Sequence, residues 1–227
     1  MAALLDELDA RIAALPTNAG PLRALRREYS RRVAQADAGA VVTLALRLMA
    51  RGGIARRFVA YELVHCHRAA LASLTARDLE RLGRGLDGWG AVDAFGLYLA
   101  GPAWREGQVT DARIHRWARS SDRWWRRAAL VSTVPLNSKS RGGSGDARRT
   151  LAVCRALVAD RDDMVVKALS WALRELAKRD PAAARRFVAA HRRALAARVV
   201  REVGNKLATG LKNPRRAARG GRRRIPA

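Results

Sequence analysis

The chain has 227 residues, of which 49% are hydrophobic, and it carries a formal net charge of +25. This hydrophobic content can fill a real core, which argues against a disordered or fibrous chain. The excess of Lys and Arg over acids favours a polyanionic partner, because basic side chains set against phosphates release condensed counterions. Nucleic acid is therefore the leading candidate partner, ahead of an anionic membrane surface.

The cellular location follows from cysteine content and hydropathy. Cys66 and Cys154 are the only cysteines, so a disulfide scaffold is excluded and a cytosolic thiol state is expected. Residues 1–14 contain three acids where an export signal would have a basic start. No apolar run reaches the roughly 18 residues of a membrane span. We therefore expect a cytoplasmic, nucleoid-associated protein with no membrane partner.

Helical periodicity extends along almost the whole chain. Apolar residues recur at helical spacing, beginning with Leu4, Leu8 and Ile12, and strand-like alternation is nearly absent. Gly, Pro, Ser and Asp residues separate the periodic segments, as expected for short helices joined by short turns. Asp180 followed by Pro181 is a strong helix start, because an Asp side chain caps backbone N–H groups and Pro fits the first helical position. The pattern predicts an all-α protein.

One internal repeat is visible in the second half of the chain. Asp122 and Arg127 are matched forty positions later by Asp162 and Lys167. Forty residues is the period of two-helix repeats of the HEAT and armadillo kind. The repeat predicts a curved α-solenoid of HEAT-like repeats, in which a basic residue on the second helix of each unit lines a concave face. Such a face would accommodate a nucleic-acid duplex.

Two segments depart from the helical pattern. Residues 137–145, with the sequence NSKSRGGSG, are predicted to form a flexible, exposed loop. Residues 212–227 form a basic segment without acids and are predicted to be a disordered tail. We therefore expect a single solenoid domain over residues 1–211, followed by this tail.

No cofactor or metal site is expected. The chain has no glycine-rich nucleotide loop between a strand and a helix, and no HExxH, CxxC or GxSxG motif. His65, Cys66 and His67 adjoin, but neighbouring side chains on a helix point about 100° apart and cannot share one ion well. We interpret these three residues as structural.

An isolated acid marks the centre of the chain. Asp93 is the only charged residue between Gly88 and Gly101, and Trp89 precedes it by four positions. On a helix that begins near Asp87, the indole and the carboxylate therefore share one face. The alternative is that Trp89 packs in the core and Asp93 is hydrogen-bonded at a helix start, since aromatic residues at helical spacing are usually core residues.

Further tryptophans lie among basic residues. Lys167, Trp171 and Arg174 share one stripe of a predicted helix, and Trp124 and Trp125 adjoin arginines. Indole rings stack on bases and guanidinium groups bind phosphates. This combination is typical of a nucleic-acid-binding surface.

Residues 21–213 resemble the bacterial AlkD-like DNA alkylation repair glycosylases, which are built from HEAT-like repeats. The resemblance rests on an ordered series of motifs: FVAYELV at 58–64, GWGAVD at 88–93, WWRRAAL at 124–130, VKALSWALRELAK at 166–178 and RE at 201–202. It implies a monofunctional enzyme that binds duplex DNA carrying alkylated bases. We expect a monomer, because an asymmetric solenoid that clamps duplex DNA needs no partner subunit. The implied reaction is hydrolysis of the N-glycosidic bond of cationic N3- or N7-alkylpurines, without full extrusion of the base.

The resemblance also assigns the site residues. It places the catalytic carboxylate at Asp93 and the lesion contacts at Trp89 and Trp171. The expected contacts to the DNA backbone are Arg127, Lys167 and Arg174, and Tyr29 is the nearest candidate for a lesion-contacting tyrosine near the N-terminus.

Two other functions fit the same residues. The first is a non-catalytic HEAT-repeat protein that binds damaged or branched DNA through its basic face. The second is a helical-repeat scaffold for acidic proteins. Only the enzyme requires the carboxylate of Asp93, so this residue separates the hypotheses.

Overall fold

The computed structural model describes residues 1–214, so the predicted tail lies outside the described residues from residue 215 onward. Helices α1 to α15 cover Ala2–Ala13, Ala19–Arg32, Ala38–Ala50, Ile54–Cys66, Arg68–Ala72, Ala76–Leu82, Trp89–Phe95, Gly101–Arg105, Asp111–Ala118, Arg123–Val131, Val134–Asn137, Ala147–Ala156, Asp163–Leu176, Pro181–Ala190 and Ala197–Thr209. A π-helical turn, Gly96–Ala100, joins α7 to α8, and a 3₁₀ turn covers Lys139–Arg141. Over residues 1–214 there is no β-strand, and none of the helices has the length and apolar content needed to cross a membrane.

The helices form two layers. In the site layer, helices α2, α4, α7, α10, α13 and α15 pack each against the next. In the back layer, helices α3, α9, α12 and α14 each pack against a site-layer helix, and α1 packs against α3. This arrangement confirms the prediction of an all-α solenoid of helical repeats. The assignment of its repeats to the HEAT type stays a prediction.

The repeated aspartates begin equivalent helices. The side chain of Asp122 accepts a hydrogen bond from the backbone N–H of Trp124 at 2.8 Å, and Asp162 accepts one from Met164 at 2.9 Å. Each side chain thereby satisfies an N–H group that the first turn of a helix leaves without a partner. The forty-residue repeat thus places α10 and α13 side by side in the site layer. Asp180 caps α14 in the same way, as its sequence predicts.

Glycines allow the helix that carries Asp93 to approach α10 closely. A Cβ atom on Gly96 would lie 2.7 Å from Val131 Cγ1, and one on Gly101 would lie 2.7 Å from the Ser132 carbonyl oxygen. Both separations are shorter than any real contact, so only glycine fits at these two positions. The π-helical turn lies between them, and such turns are frequent at functional sites. The close approach brings Asp93 opposite α10.

The prediction of an exposed loop at residues 137–145 holds for Lys139, Ser140, Gly142, Ser144 and Gly145, but Asn137, Ser138 and Gly143 are buried. Asn137 is buried, and its Nδ2 donates to Thr150 Oγ1 at 2.8 Å. Arg179 Nε donates to the Asn137 carbonyl oxygen at 2.8 Å, and Arg179 Nη2 donates to the Gly143 carbonyl oxygen at 3.1 Å. Polar composition predicted exposure, but long-range hydrogen bonds hold the segment against the fold.

Candidate functional site

Asp93 and Arg127 form a paired site between α7 and α10. Arg127 Nε donates to Asp93 Oδ1 at 2.9 Å, and Nη2 donates to Oδ2 at 2.9 Å. Arg127 Nη1 donates to the carbonyl oxygen of Met164 in the first turn of α13. The arginine thereby connects three consecutive helices of the site layer and fixes the plane of the carboxylate.

The pair is largely removed from water. The side chain of Arg127 is 7% exposed and that of Asp93 is 16% exposed. Burial raises the pKa of the Asp93 carboxyl, because desolvation disfavours its charged form, and the hydrogen bonds from Arg127 act in the opposite direction. Both oxygens accept a hydrogen bond from the same guanidinium, which is the geometry of an ionised carboxylate. The site thus presents a rigid, partly desolvated negative charge with a small area open to solvent.

Trp89 lies at the solvent-facing start of the same helix. It is the first residue of α7, one turn before Asp93, and its side chain is 62% exposed. A large aromatic residue with this exposure makes little contribution to the core. The hypothesis that Trp89 is a core residue is therefore wrong, and the indole is available to a ligand.

An apolar groove lies beside Trp89. It encloses about 370 Å³ between the first turns of α2, α4 and α7, and Leu22, Ile54, Phe58 and Trp89 contribute to its walls. Ile54 is itself 51% exposed. The sequence did not predict this groove, because its walls come from three helices that are distant in the chain.

Helix α13, which α10 separates from α7 in the site layer, carries three further predicted site residues. Trp171 is half-buried against the core, and Lys167 is exposed and forms a 2.7 Å ion pair with Asp163. Arg174 is half-buried, and its Nε donates to Ser170 Oγ at 3.2 Å. Burial lowers the pKa of the Arg174 guanidinium, because desolvation disfavours its charged form.

Arg174 also belongs to a network with α15. Glu202 is buried, accepts a 2.6 Å hydrogen bond from Ser170 Oγ, and lies 3.8 Å from Arg174 Nε. In the sequence, Glu202 appeared only in the RE pair at residues 201–202 and was not predicted as a site residue. The structure shows it as the acid that faces Arg174.

Trp124 and Trp125, which are adjacent in the sequence, have different environments in the structure. Trp125 packs edge-on against Phe95 with ring centroids 5.9 Å apart, and it lies 5.0 Å from the ring of Trp117. It therefore packs between α7, α9 and α10 and is half-buried. Trp124 is half-buried beneath the guanidinium of Arg123.

Tyr29 is not available to a ligand in this structure. It is 0% exposed, and its hydroxyl donates to Glu7 Oε1 at 2.8 Å. Tyr29 lies toward the C-terminal end of α2 and faces Glu7 of α1, which explains its burial. Its candidacy as a lesion contact is therefore wrong.

The two histidines that adjoin Cys66 make structural hydrogen bonds. His65 Nδ1 donates to the Tyr98 carbonyl oxygen at 2.9 Å. That oxygen lies four residues before Pro102, which has no N–H to offer it. His67 Nδ1 accepts from the backbone N–H of Ala70 at 3.0 Å and caps α5. Within residues 1–214, His, Cys, Asp and Glu side chains form no group of three or more that could hold a metal ion.

These features define a helical-repeat protein with a desolvated carboxylate–guanidinium pair in its site layer and an exposed indole one turn away. The chain belongs to the DNA alkylation repair enzyme family, whose model matches residues 10–207. None of the curated proteins and none of the solved structures compared with it gives a significant match. Family membership places the protein in DNA alkylation repair, with DNA as its substrate.

Proposed function

We propose that the protein is a monofunctional DNA glycosylase that hydrolyses the N-glycosidic bond of cationic N3- and N7-alkylpurines in duplex DNA. The observation that carries the proposal is the Asp93 carboxylate, which Arg127 holds on both oxygens one turn from the exposed Trp89. The protein acts as a cytoplasmic, nucleoid-associated monomer that binds the duplex along the site layer, whose repeats are of the HEAT type.

The chemistry of an alkylated purine suits a site with one acid. Alkylation at N3 or N7 makes the base cationic, so it leaves without protonation by a general acid. The electron pair of the glycosidic bond departs with the base and neutralises it, which leaves positive charge on the sugar. Water then adds at C1′ and loses a proton. A fixed carboxylate stabilises the cationic sugar and orients this water, a contribution of about 3–4 kcal/mol for a preorganised electrostatic group.

Arg127 acts through Asp93 in this proposal. Its side chain is nearly buried, and three of its N–H groups already bind Asp93 and the Met164 carbonyl oxygen. This geometry supports a positioning role, in which the guanidinium keeps the carboxylate ionised and aimed at the sugar. A direct contact between Arg127 and a DNA phosphate stays a prediction.

The indole of Trp89 supplies a face for the cationic nucleotide. Its exposure allows the ring to reach the sugar or base of a lesion that remains close to the stack, so that the base is not fully extruded. Cation–π attraction contributes about 0.5–2 kcal/mol at such a site. Trp171 contributes a second ring from α13, and Lys167 and Arg174 on the same helix contact the DNA backbone.

The test is release of N7-methylguanine and N3-methyladenine from methylated duplex DNA by the purified protein, without added metal. The wild type is expected to release both bases, and Asp93→Asn is expected to lose release while it retains DNA binding. Asp87→Asn is the matched control, because Asp87 is an exposed acid two residues before α7. It is expected to retain full activity.

Each other outcome has a definite meaning. Equal release by wild type and Asp93→Asn would contradict the assignment of the carboxylate. Absence of release, with salt-sensitive DNA binding intact, would favour the non-catalytic DNA-binding alternative. Absence of both base release and DNA binding would favour a scaffold for acidic proteins.

A further inference from the structure

We propose that Lys139 and Arg141, at the tip of the turn that follows α11, form a second anchor for the phosphodiester backbone of duplex DNA. We call these two residues the tip cations. The proposal rests on the proposed function only in taking duplex DNA as the ligand. It adds a backbone contact at the turn between α11 and α12, which Arg105 of α8 and Arg179 after α13 hold in place.

A chain of contacts places the tip cations on the same surface as the groove at Trp89. Phe58 lines that groove together with Trp89, and the guanidinium of Arg23 lies 5.3 Å from the centroid of the Phe58 ring. Arg23 Nη2 donates to the Tyr98 hydroxyl at 3.2 Å. The guanidinium of Arg141 lies 5.3 Å from the centroid of the Tyr98 ring. The surface that carries the exposed indole therefore continues to Arg141.

The tip is held rigidly by the rest of the fold. Arg105 Nη1 donates to the Arg141 carbonyl oxygen, and Arg179 Nη2 donates to the Gly143 carbonyl oxygen. The backbone N–H of Gly143 donates to the Ser138 carbonyl oxygen at 2.9 Å and closes the turn. Gly143 is required here, because a Cβ atom would lie 2.3 Å from the Pro135 carbonyl oxygen. A preorganised cation loses less conformational entropy when it binds a ligand.

The charge around the tip remains unbalanced. Arg23 and Arg26 both pair with the buried Glu62, so two cations share one acid. In the described part of the chain, neither Lys139 nor Arg141 forms an ion pair with an acidic side chain. Glu106 lies near the tip but is already paired with Arg105, whose Nη1 binds the Arg141 carbonyl oxygen. The remaining like charges repel one another, and an external polyanion relieves this repulsion.

The two side chains suit phosphate oxygens in complementary ways. The guanidinium of Arg141 lies over the ring of Tyr98, which leaves its N–H edge able to donate two parallel hydrogen bonds to a phosphate. Lys139 is exposed and supplies a point charge two residues away. A phosphate bound here would hold the duplex at a second point, in addition to the surface beside Asp93.

The test compares the full-length wild type with Lys139→Ala/Arg141→Ala by fluorescence anisotropy on unmodified duplex DNA at a series of salt concentrations. The double variant is expected to bind more weakly, and its slope of log Kobs against log [salt] is expected to be smaller in magnitude by about 1.8, or about 0.9 for each lost phosphate contact. The matched control is Arg185→Ala/Arg186→Ala, which removes two exposed cations from the back-layer helix α14. It is expected to keep the wild-type slope.

The single variant Lys139→Ala guards against a folding defect, because its side chain is exposed and its loss is expected to change the slope by about 0.9. A wild-type slope in both tip variants would overturn the anchor. The anchor would also be overturned if the tip variants changed the salt slope for polyglutamate, as an acidic protein ligand, but left the slope for duplex DNA unchanged. If the wild type binds duplex DNA in a salt-dependent way but releases no base, the proposed glycosylase activity is refuted. The comparison of salt slopes between the wild type and the tip variants still tests the anchor.

Discussion

Arg127 and Asp93 lie thirty-four residues apart in the chain, yet the guanidinium of one meets both carboxylate oxygens of the other at 2.9 Å. A third N–H group of the same guanidinium binds the carbonyl oxygen of Met164, so the orientation of Asp93 depends on α10 and α13 as well as on α7. The proposed catalytic carboxylate is thus positioned by the packing of the solenoid itself.

Arg127→Lys is expected to slow base release by about 100-fold, with little change in the affinity for undamaged duplex. A lysine keeps the charge but presents a single point donor, so it cannot hold both carboxylate oxygens and the Met164 carbonyl, and small errors of position cost about this factor. Single-turnover kinetics and DNA titration measure the two quantities separately. Arg126→Lys is the control, because Arg126 lies next to Arg127 on α10, pairs with Asp160 in the turn before α13, and touches neither Asp93 nor Met164. Equal losses in the two variants would refute the positioning role.

Base release is expected to fall on the acid side with a midpoint above the ordinary aspartic acid pKa of 3.8. The reaction needs an ionised Asp93, and burial raises the pKa of this carboxyl. Arg127→Ala removes hydrogen bonds that lower this pKa, so the midpoint is expected to move to still higher pH. The pH dependence of the single-turnover rate, corrected for spontaneous depurination, measures both midpoints. A shift toward lower pH in Arg127→Ala would contradict this account.

Trp89→Ala is expected to reduce base release by about 2- to 30-fold, which corresponds to the loss of a cation–π contact of about 0.5–2 kcal/mol. Because the indole is exposed, the free energy of unfolding should change by no more than about 0.5 kcal/mol. Trp117→Ala provides the contrast, since Trp117 is buried and its loss should cost about 3–5 kcal/mol. Denaturant unfolding and base-release assays distinguish the two. A large loss of stability in Trp89→Ala would show that Trp89 packs in the core and contradict this account.

Gly96→Ala is expected to lower the free energy of unfolding by about 1–3 kcal/mol and to reduce base release. The added Cβ atom would lie 2.7 Å from Val131 Cγ1, so α7 must move away from α10 and Asp93 from Arg127. Gly90→Ala, in α7 directly before the π-helical turn, is the matched control, because a Cβ atom there has no neighbour within 4 Å. Its higher helix propensity should leave stability equal or greater by up to about 1 kcal/mol. Thermal unfolding of the two variants tests this difference, and equal stability would disprove the close approach.

The sequence by itself determined the features that depend on neighbours in the chain. Helical periodicity predicted the all-α solenoid, and Asp180 marked the start of its helix because a capping side chain bonds an N–H group two or three residues ahead. The isolation of Asp93 among apolar residues, one turn after Trp89, was also visible in the sequence, and the family resemblance made it the expected catalytic carboxylate.

The tertiary structure alone decided which of these side chains are buried and what they contact. Arg127 and Lys167 occupy equivalent positions of the repeat, yet Arg127 is buried against Asp93 while Lys167 is exposed beside Asp163. The polar segment after α11 is held against the fold, and Arg141 lies over Tyr98. Hydrophobic periodicity and capping residues indicate local helical structure. The burial and the partners of these side chains depend instead on contacts between helices that are distant in the chain, and packing selects those contacts.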